Sequence, residues 1–352
     1  MNTREVFTIR TKKDFEYKAL EIFRQQAENN SVYKKYVEQL GINPENVKSV
    51  AQIPFLPIEF FKTQKVVCKS QVSSLGSPSL RDKSQVFLSS GTTGMTRSKH
   101  YVSDIKLYET SFRKCFELFY GDVRKYYILA FLPSYYENKS SSLLYMVNDL
   151  MKRNGKKESR FYKNNEQKLL LNRMNKLISE KKKVILFGVS YALLDLTPTA
   201  GLSPLSHGRG VRGEVIVLET GGMKGRHEEI TREELHKTLC EKFYGSEKNL
   251  PAGRQVHSEY GMTELLSQAY SKGDGIFNSP PWMKVLVRDV NDPFYFLPHG
   301  KTGALNIIDL ANINSCSFIA TQDVGRIHKN NSFEVLGRMD NSDLRGCNLL
   351  AG

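Results

Sequence analysis

The sequence predicts an α/β protein built on a mainly parallel sheet flanked by helices. The first observation is three apolar runs: YYILAFLPS (126–134), KKVILFGVS (182–190) and GEVIVLETGG (213–222). They are nearly continuous, as strands buried on both faces must be, and helical patterns lie between them. The second is that strand ends run into loops of glycine, hydroxyl and acidic residues, and ligands gather at the carboxyl ends of such strands. The third is a change of character near residue 280. WMKVLVRDV, GALNIIDLA, SFIATQDVGRIH and SFEVLGRMD are short strands with polar turns, which read as antiparallel. The expected organisation is an α/β core over residues 1–280 and a small antiparallel subdomain of the same domain over 281–352.

The elements follow in order. Residues 13–41 carry apolar side chains at spacings of three and four, predicting amphipathic helices that stop at Gly41. IPFLPIEFFKTQKV (53–66), with two prolines, reads as a passage from loop to strand. SQVFLSS is a short strand that ends in a glycine loop. Residues 103–119 predict a helix with Ser103 and Asp104 as cap candidates. Further helices are expected over 140–153 and 228–243, the latter capped by Thr231. QVHSEYGMTELL reads as strand, turn, then helix. TPTAGLSPLSHGRGVRG (197–213) and SEKNLPAGRQ (246–255) have the Gly, Pro and Arg content of irregular surface loops.

Composition narrows the function. Hydrophobic residues at 40% and charged residues at 25% are the balance of a soluble globular protein. No run of 18 apolar residues occurs, so no membrane span is expected. The start, MNTREVFTIRTKKDFEYKAL, lacks the apolar core of a signal peptide, and a cytoplasmic protein is expected. The net charge of +14 raises the question of nucleic acid. However, KKK (181–183) and MKRNGKK (151–157) lack the interleaved aromatics of a single-strand binder. The reading is a solvated, lysine-rich surface able to attract an acidic partner or anionic substrate. Cysteines 68, 115, 240, 316 and 347 are scattered and form no CxxC pair, against both a disulfide framework and a zinc cluster.

The segment SSGTTGMTRSKH (89–100) has the chemistry of an anion cradle. It lacks the spacing of a Walker A loop. The N–H groups of Gly91, Thr92, Thr93 and Gly94 can form a nest, with the Ser89 and Ser90 hydroxyls as further donors. Arg97 and Lys99 can offset phosphate charge.

This segment, with three motifs behind it, resembles the adenylate-forming superfamily of acyl-CoA synthetases, luciferases and nonribosomal adenylation domains. The phosphate loop of that superfamily is matched from Ser89 to Gly94, with Thr96 and Arg97 in place of the usual Pro and Lys. Then come Tyr260, Gly261, Met262, Thr263 and Glu264 (YGMTE), Asp323 in ATQDVGR, and GRMDNSDLRG with Arg338 and Asp340. The resemblance implies the large N-terminal domain of these enzymes and ATP with Mg²⁺ as cofactors. It implies Glu264 as the metal ligand, a single hard carboxylate of the kind Mg²⁺ accepts beside phosphate oxygens. It further implies Thr263 on the α-phosphate, Tyr260 and Gly261 at adenine, Asp323 and Arg338 at the ribose, and the TGGMK segment (Gly221, Gly222) lining adenine and acyl pockets.

The superfamily also has a mobile C-terminal domain with a catalytic lysine, whereas this chain ends shortly after DLRG. That ending, with IPFLPIEFFK, LPSYYENKSSSLLYMVNDL and ETGGMKGR, resembles a smaller branch, the acyl-protein synthetases of bacterial bioluminescence (LuxE type). In that branch the lysine domain is absent. The implied activity is activation of a carboxylic, typically fatty, acid as acyl-AMP. The acyl group then passes to an enzyme cysteine and on to an acyl-reductase or acyl-carrier partner. Cys347 in RGCNLL is the implied acceptor, with Arg345 favouring its thiolate, and Tyr135, Tyr136 and Met223 are candidates for the acyl pocket. Two alternatives remain open at this stage: an acyl-CoA ligase resembling phenylacetate-CoA ligases, and a nucleotide-binding scaffold without catalysis.

Overall fold

The structure is a computed structural model and describes residues 4–69, 84–90, 96–133, 140–196, 214–221, 230–244 and 256–339. Two helices come first, α1 (Lys12–Asn29) and α2 (Ser31–Gln39). Thr11 and Asp14 form a capping box on α1, and the Asn30 side chain accepts from the N–H groups of Val32 and Tyr33 to start α2. The expected passage from loop to strand is a two-residue strand, β1 (Leu56–Pro57), followed by a short helix, α3 (Phe60–Thr63).

Strand β2 (Gln85–Leu88) and β3 (Lys99–Val102) form a separate antiparallel ribbon. The strand that feeds the glycine loop is therefore outside the main sheet. Helix α4 (Ile105–Tyr120) follows, with Asp104 as its N-cap. Next come β4 (Tyr126–Phe131), α5 (Ser142–Asn154), β5 (Arg160–Tyr162), α6 (Gln167–Ser179), β6 (Lys183–Val189), α7 (Ser190–Asp195), β7 (Val215–Thr220), α8 (Arg232–Tyr244) and β8 (His257–Tyr260). Strands β5, β4, β6, β7 and β8 are parallel neighbours in that order. Their side chains, from Ile128 to Leu218, are almost wholly buried beneath the helices.

The same sheet then reverses direction. Strand β9 (Ala269–Ser271) runs antiparallel to β8, and β10 (Phe277–Asn278), β14 (Phe333–Arg338), β13 (Phe318–Ile327), β12 (Thr302–Asp309) and β11 (Met283–Arg288) continue it. β1 pairs with β13 in parallel and completes a 12-stranded sheet. Nothing helical follows YGMTE: the helix expected there is a turn leading to β9. The reason lies far along the chain. The buried Asp309 carboxylate accepts the N–H groups of Leu266 and Ser267 and the Ser267 hydroxyl, holding the segment extended.

The N-terminal helices pack against this late half of the chain. The buried Gln26 amide donates to the carbonyls of Asn312 and Ile313, and its oxygen accepts from Ser317 N–H. Asn30 donates to the Ser315 carbonyl, and Phe23 packs edge-on against Phe318. No described helix is long and apolar enough to cross a membrane. The two stretches read as surface loops, 197–213 and 246–255, lie outside the described residues.

Candidate active site

The site grows from the ribbon. In β3 and the residue before it, side chains alternate: Lys99 is exposed, while Ser98 and His100 are buried. Arg97, just ahead, is exposed. The neck of the glycine loop is closed by two bonds. Ser89 N–H donates to the Ser98 carbonyl (3.1 Å), and Ser98 N–H donates to Ser89 Oγ (2.9 Å). Ser89 is half-buried and Ser90 exposed. Gly91, Thr92, Thr93 and Gly94 lie outside the described residues.

The second wall is the turn after β8. Glu264 is buried, 5% exposed, and the Ser98 hydroxyl donates to its carboxyl. Burial pushes this carboxyl above the usual carboxylate range, and the Ser98 bond pulls the other way. The loop neck and the YGMTE turn are thus joined directly. Thr263 and Met262 are half-buried and Gly261 is exposed. Gly261 has a packing reason: a Cβ there would lie 2.5 Å from Glu259 Oε1. Gly221, at the end of β7, has φ of 73°, which favours glycine. Gly222, Met223, Tyr135, Tyr136 and Cys347 lie outside the described residues.

The third wall is the β13–β14 hairpin. Its register sets Asp323 opposite Arg338. Arg338 Nε donates to Asp323 Oδ1 at 3.1 Å, and the Tyr260 hydroxyl donates to Asp323 Oδ2 at 2.6 Å. Tyr260 is 8% exposed, its ring packed edge-on against Phe277 and Phe333. Arg338 has an exposed side chain, and Asp323 and Glu264 both act on its charge. Bonds thus link Ser89, Ser98 and Glu264 in one set and Arg338, Asp323 and Tyr260 in another, and the charges of Glu264 and Arg338 act on each other between the two sets.

The donor set can be tested against the implied groups. Among the described residues no three His, Cys, Asp or Glu side chains cluster to cage a metal. Glu264 alone suits an ion that takes one protein carboxylate and fills its shell with phosphate oxygens and water, which is the habit of Mg²⁺. Each Asp323 oxygen already accepts one bond and keeps a second lone pair for a ribose hydroxyl.

Residues 8–351 match the family described as acyl-protein synthetase, LuxE. The chain belongs to this family. A curated relative, the long-chain-fatty-acid–luciferin-component ligase of Vibrio harveyi, is 23% identical over 145 residues, which is 39% of this chain and 37% of the relative. The chain thus spans little more than a third of that relative. Among solved structures it resembles an open conformation of a 2-hydroxyisobutyryl-CoA ligase (TM-score 0.57, 13% identity, 94% of this chain and 70% of that one). It also resembles an adenylation and carrier-protein structure, McyG A-PCP, complexed with phenylalanyl-adenylate (TM-score 0.51, 14% identity, 74% of this chain and 48% of that one). These likenesses give the LuxE chain the adenylate-forming fold.

Several residues at the site were not singled out from the sequence. Ser98, His100 and Asn312 support the YGMTE turn, and Thr220 donates to the Glu259 carboxyl. Burial pushes the Glu259 carboxyl up to about 7. The buried ring of His100 is held down, to about 4, by the same desolvation. The signal available for Ser98 and His100 was their spacing of two in SKH, visible only once that stretch is known to pair as a strand.

Proposed function

We propose that this LuxE-family chain activates a carboxylic acid, of fatty type, as acyl-AMP at the expense of ATP. It then transfers the acyl group to Cys347 and onward to a partner protein. The observation that carries the reading is the closeness of two bonded sets, the loop neck with Glu264 and Asp323 with Arg338 and Tyr260, whose charges act on each other. This supports phosphate, metal and ribose chemistry side by side.

The chain's residues divide the work. The loop amides, Arg97 and Lys99 hold the phosphates and the charge that leaves with pyrophosphate. Glu264 contributes the carboxylate for a divalent cation, which when bound spreads the charge on the departing pyrophosphate. Asp323 and Arg338 hold the ribose, and Gly221, Gly222, Tyr260 and Gly261 border the base. With both anions fixed, the substrate carboxylate oxygen attacks the α-phosphorus as the bond to pyrophosphate breaks. In the second step the Cys347 thiolate attacks the acyl carbon and AMP leaves, giving a thioester.

The other cysteines support that acceptor. Burial pushes the Cys68 thiol up to about 12 and raises those of Cys115, Cys240 and Cys316, so none of the four is a ready thiolate. The test is exchange of labelled pyrophosphate into ATP, dependent on added carboxylic acids of graded chain length. No exchange with any acid refutes the reading. Exchange followed by release of acyl-CoA, without labelled protein, favours a CoA ligase.

A further inference from the structure

His100 is 1% exposed and packs edge-on against Phe61. Both ring nitrogens face oxygens: Nδ1 lies 2.8 Å from the Thr263 carbonyl and Nε2 lies 3.1 Å from Asn312 Oδ1. The Asn312 amide is oriented by its own donors, since Nδ2 donates to the Glu264 carbonyl (2.8 Å) and to the Cys316 carbonyl (2.9 Å). The successive carbonyls of Thr263 and Glu264 are thus gripped from beneath by two side chains in contact with each other. A neutral imidazole has one N–H, so one of these two contacts carries the hydrogen bond, and the proposal takes the shorter, at Nδ1.

We propose that His100 is a positioning residue for adenylation: by donating Nδ1–H to the Thr263 carbonyl, it fixes the Thr263–Glu264 turn against the strand that carries Lys99. This rests on the reading of Glu264 as the metal carboxylate. Two ties bind the turn to β3. Ser98 holds Glu264 through its side chain, and His100 holds the main chain one residue earlier. Lys99, between Ser98 and His100, points the other way, to solvent. Loss of the His100 bond frees the main chain of the turn, while the Asp309 grip on Leu266 and Ser267 keeps the fold.

The test compares His100→Asn, His100→Gln and His100→Leu. The Asn amide nitrogen falls near the place of Nδ1, and the Gln amide near that of Nε2. Two quantities are read: kcat and KM for ATP in pyrophosphate exchange, and the rise in melting temperature produced by ATP with Mg²⁺ against ATP with chelator. His100→Asn is expected to stay within about threefold of wild type. His100→Gln and His100→Leu are expected to lose about tenfold to thirtyfold in kcat, the scale of one buried hydrogen bond, with little change in KM. They should also lose the Mg²⁺-dependent part of the thermal shift while keeping the part due to ATP alone. If His100→Leu does not fold, the contrast between Asn and Gln decides. Equal behaviour of Asn and Gln, or Gln matching wild type while Asn fails, overturns the assignment. Wild-type protein that shows neither exchange nor a thermal shift defeats the adenylation reading, and this inference with it.

Discussion

Glu264 and Glu259 are both buried, and burial pushes both carboxyls up, yet their surroundings differ. In the proposed role Glu264 is ionised to hold a cation. Glu264→Gln should cost roughly 2–4 kcal/mol of transition-state stabilisation, a drop of about two to three powers of ten in pyrophosphate exchange, by analogy with loss of one preorganised electrostatic group. Unchanged exchange would remove Glu264 from the metal role. Glu259 behaves differently. With its carboxyl pushed up to about 7, the folded chain holds a proton that the unfolded chain releases near 4.5. Below that lower value both states are protonated and nothing is lost. Between 4.5 and 7 the folded state binds more protons, so stability falls as pH rises. The penalty above pH 7 is on the order of 3 kcal/mol at most. Glu259→Gln keeps an acceptor for Thr220 and removes the titration. The variant should be more stable than wild type at pH 8 and indistinguishable near pH 4, as read by urea unfolding at each pH. A constant difference across that range would assign the effect to packing.

At the scale of elements, the segment after Glu264 is held by a side chain rather than by a helix. Asp309→Ala strands the N–H groups of Leu266, Ser267 and Ala311, which all donate to this carboxylate. At about 1–3 kcal/mol for each buried donor left unpaired, the loss should exceed about 3 kcal/mol in denaturant titration. A loss under about 1 kcal/mol would mean that water replaces the carboxylate. This loop also marks where the sequence stops being readable. Strands β4, β6 and β7 were legible because a strand buried on both faces announces itself as an apolar run. Helix α4 was legible from its spacing and from Asp104. TELLSQAY has a helical look, and what cancels it is a carboxylate more than forty positions later. β3, by contrast, is four residues long with mixed character, so Ser98 and His100 could not be sorted onto an inner face before the ribbon was known. The candidate site was offered as four motifs in order. Ser98, which bonds to the Ser89 hydroxyl, and Asn312, which holds the Glu264 carbonyl, were not among the residues singled out.

At the scale of the molecule, the proposed acyl transfer asks residue 347 to meet the adenylate. Cys347→Ser should leave pyrophosphate exchange intact and abolish covalent acylation, because a serine hydroxyl is far less ionised than a thiol. Mass spectrometry after incubation with ATP and acid reads this directly, and label retained on the Ser variant would point to another acceptor. A different kind of consequence follows from the docking of α1 and α2 on residues 312–318. Gln26 and its partner Asn312 are 286 positions apart. On a ribosome these helices are made well before the surface on which they dock. At ordinary elongation rates that gap is roughly 15–60 s, during which Phe23 lacks its contact with Phe318 and Gln26 lacks its carbonyl partners. A nascent chain stalled at residue 300 should be cut by protease within α1, whereas the released full chain should resist there. Equal resistance in both would mean that the early helices find shelter before the late strands exist. Docking of these helices is therefore expected to wait for residues 312–318, which makes them a natural target for chaperones.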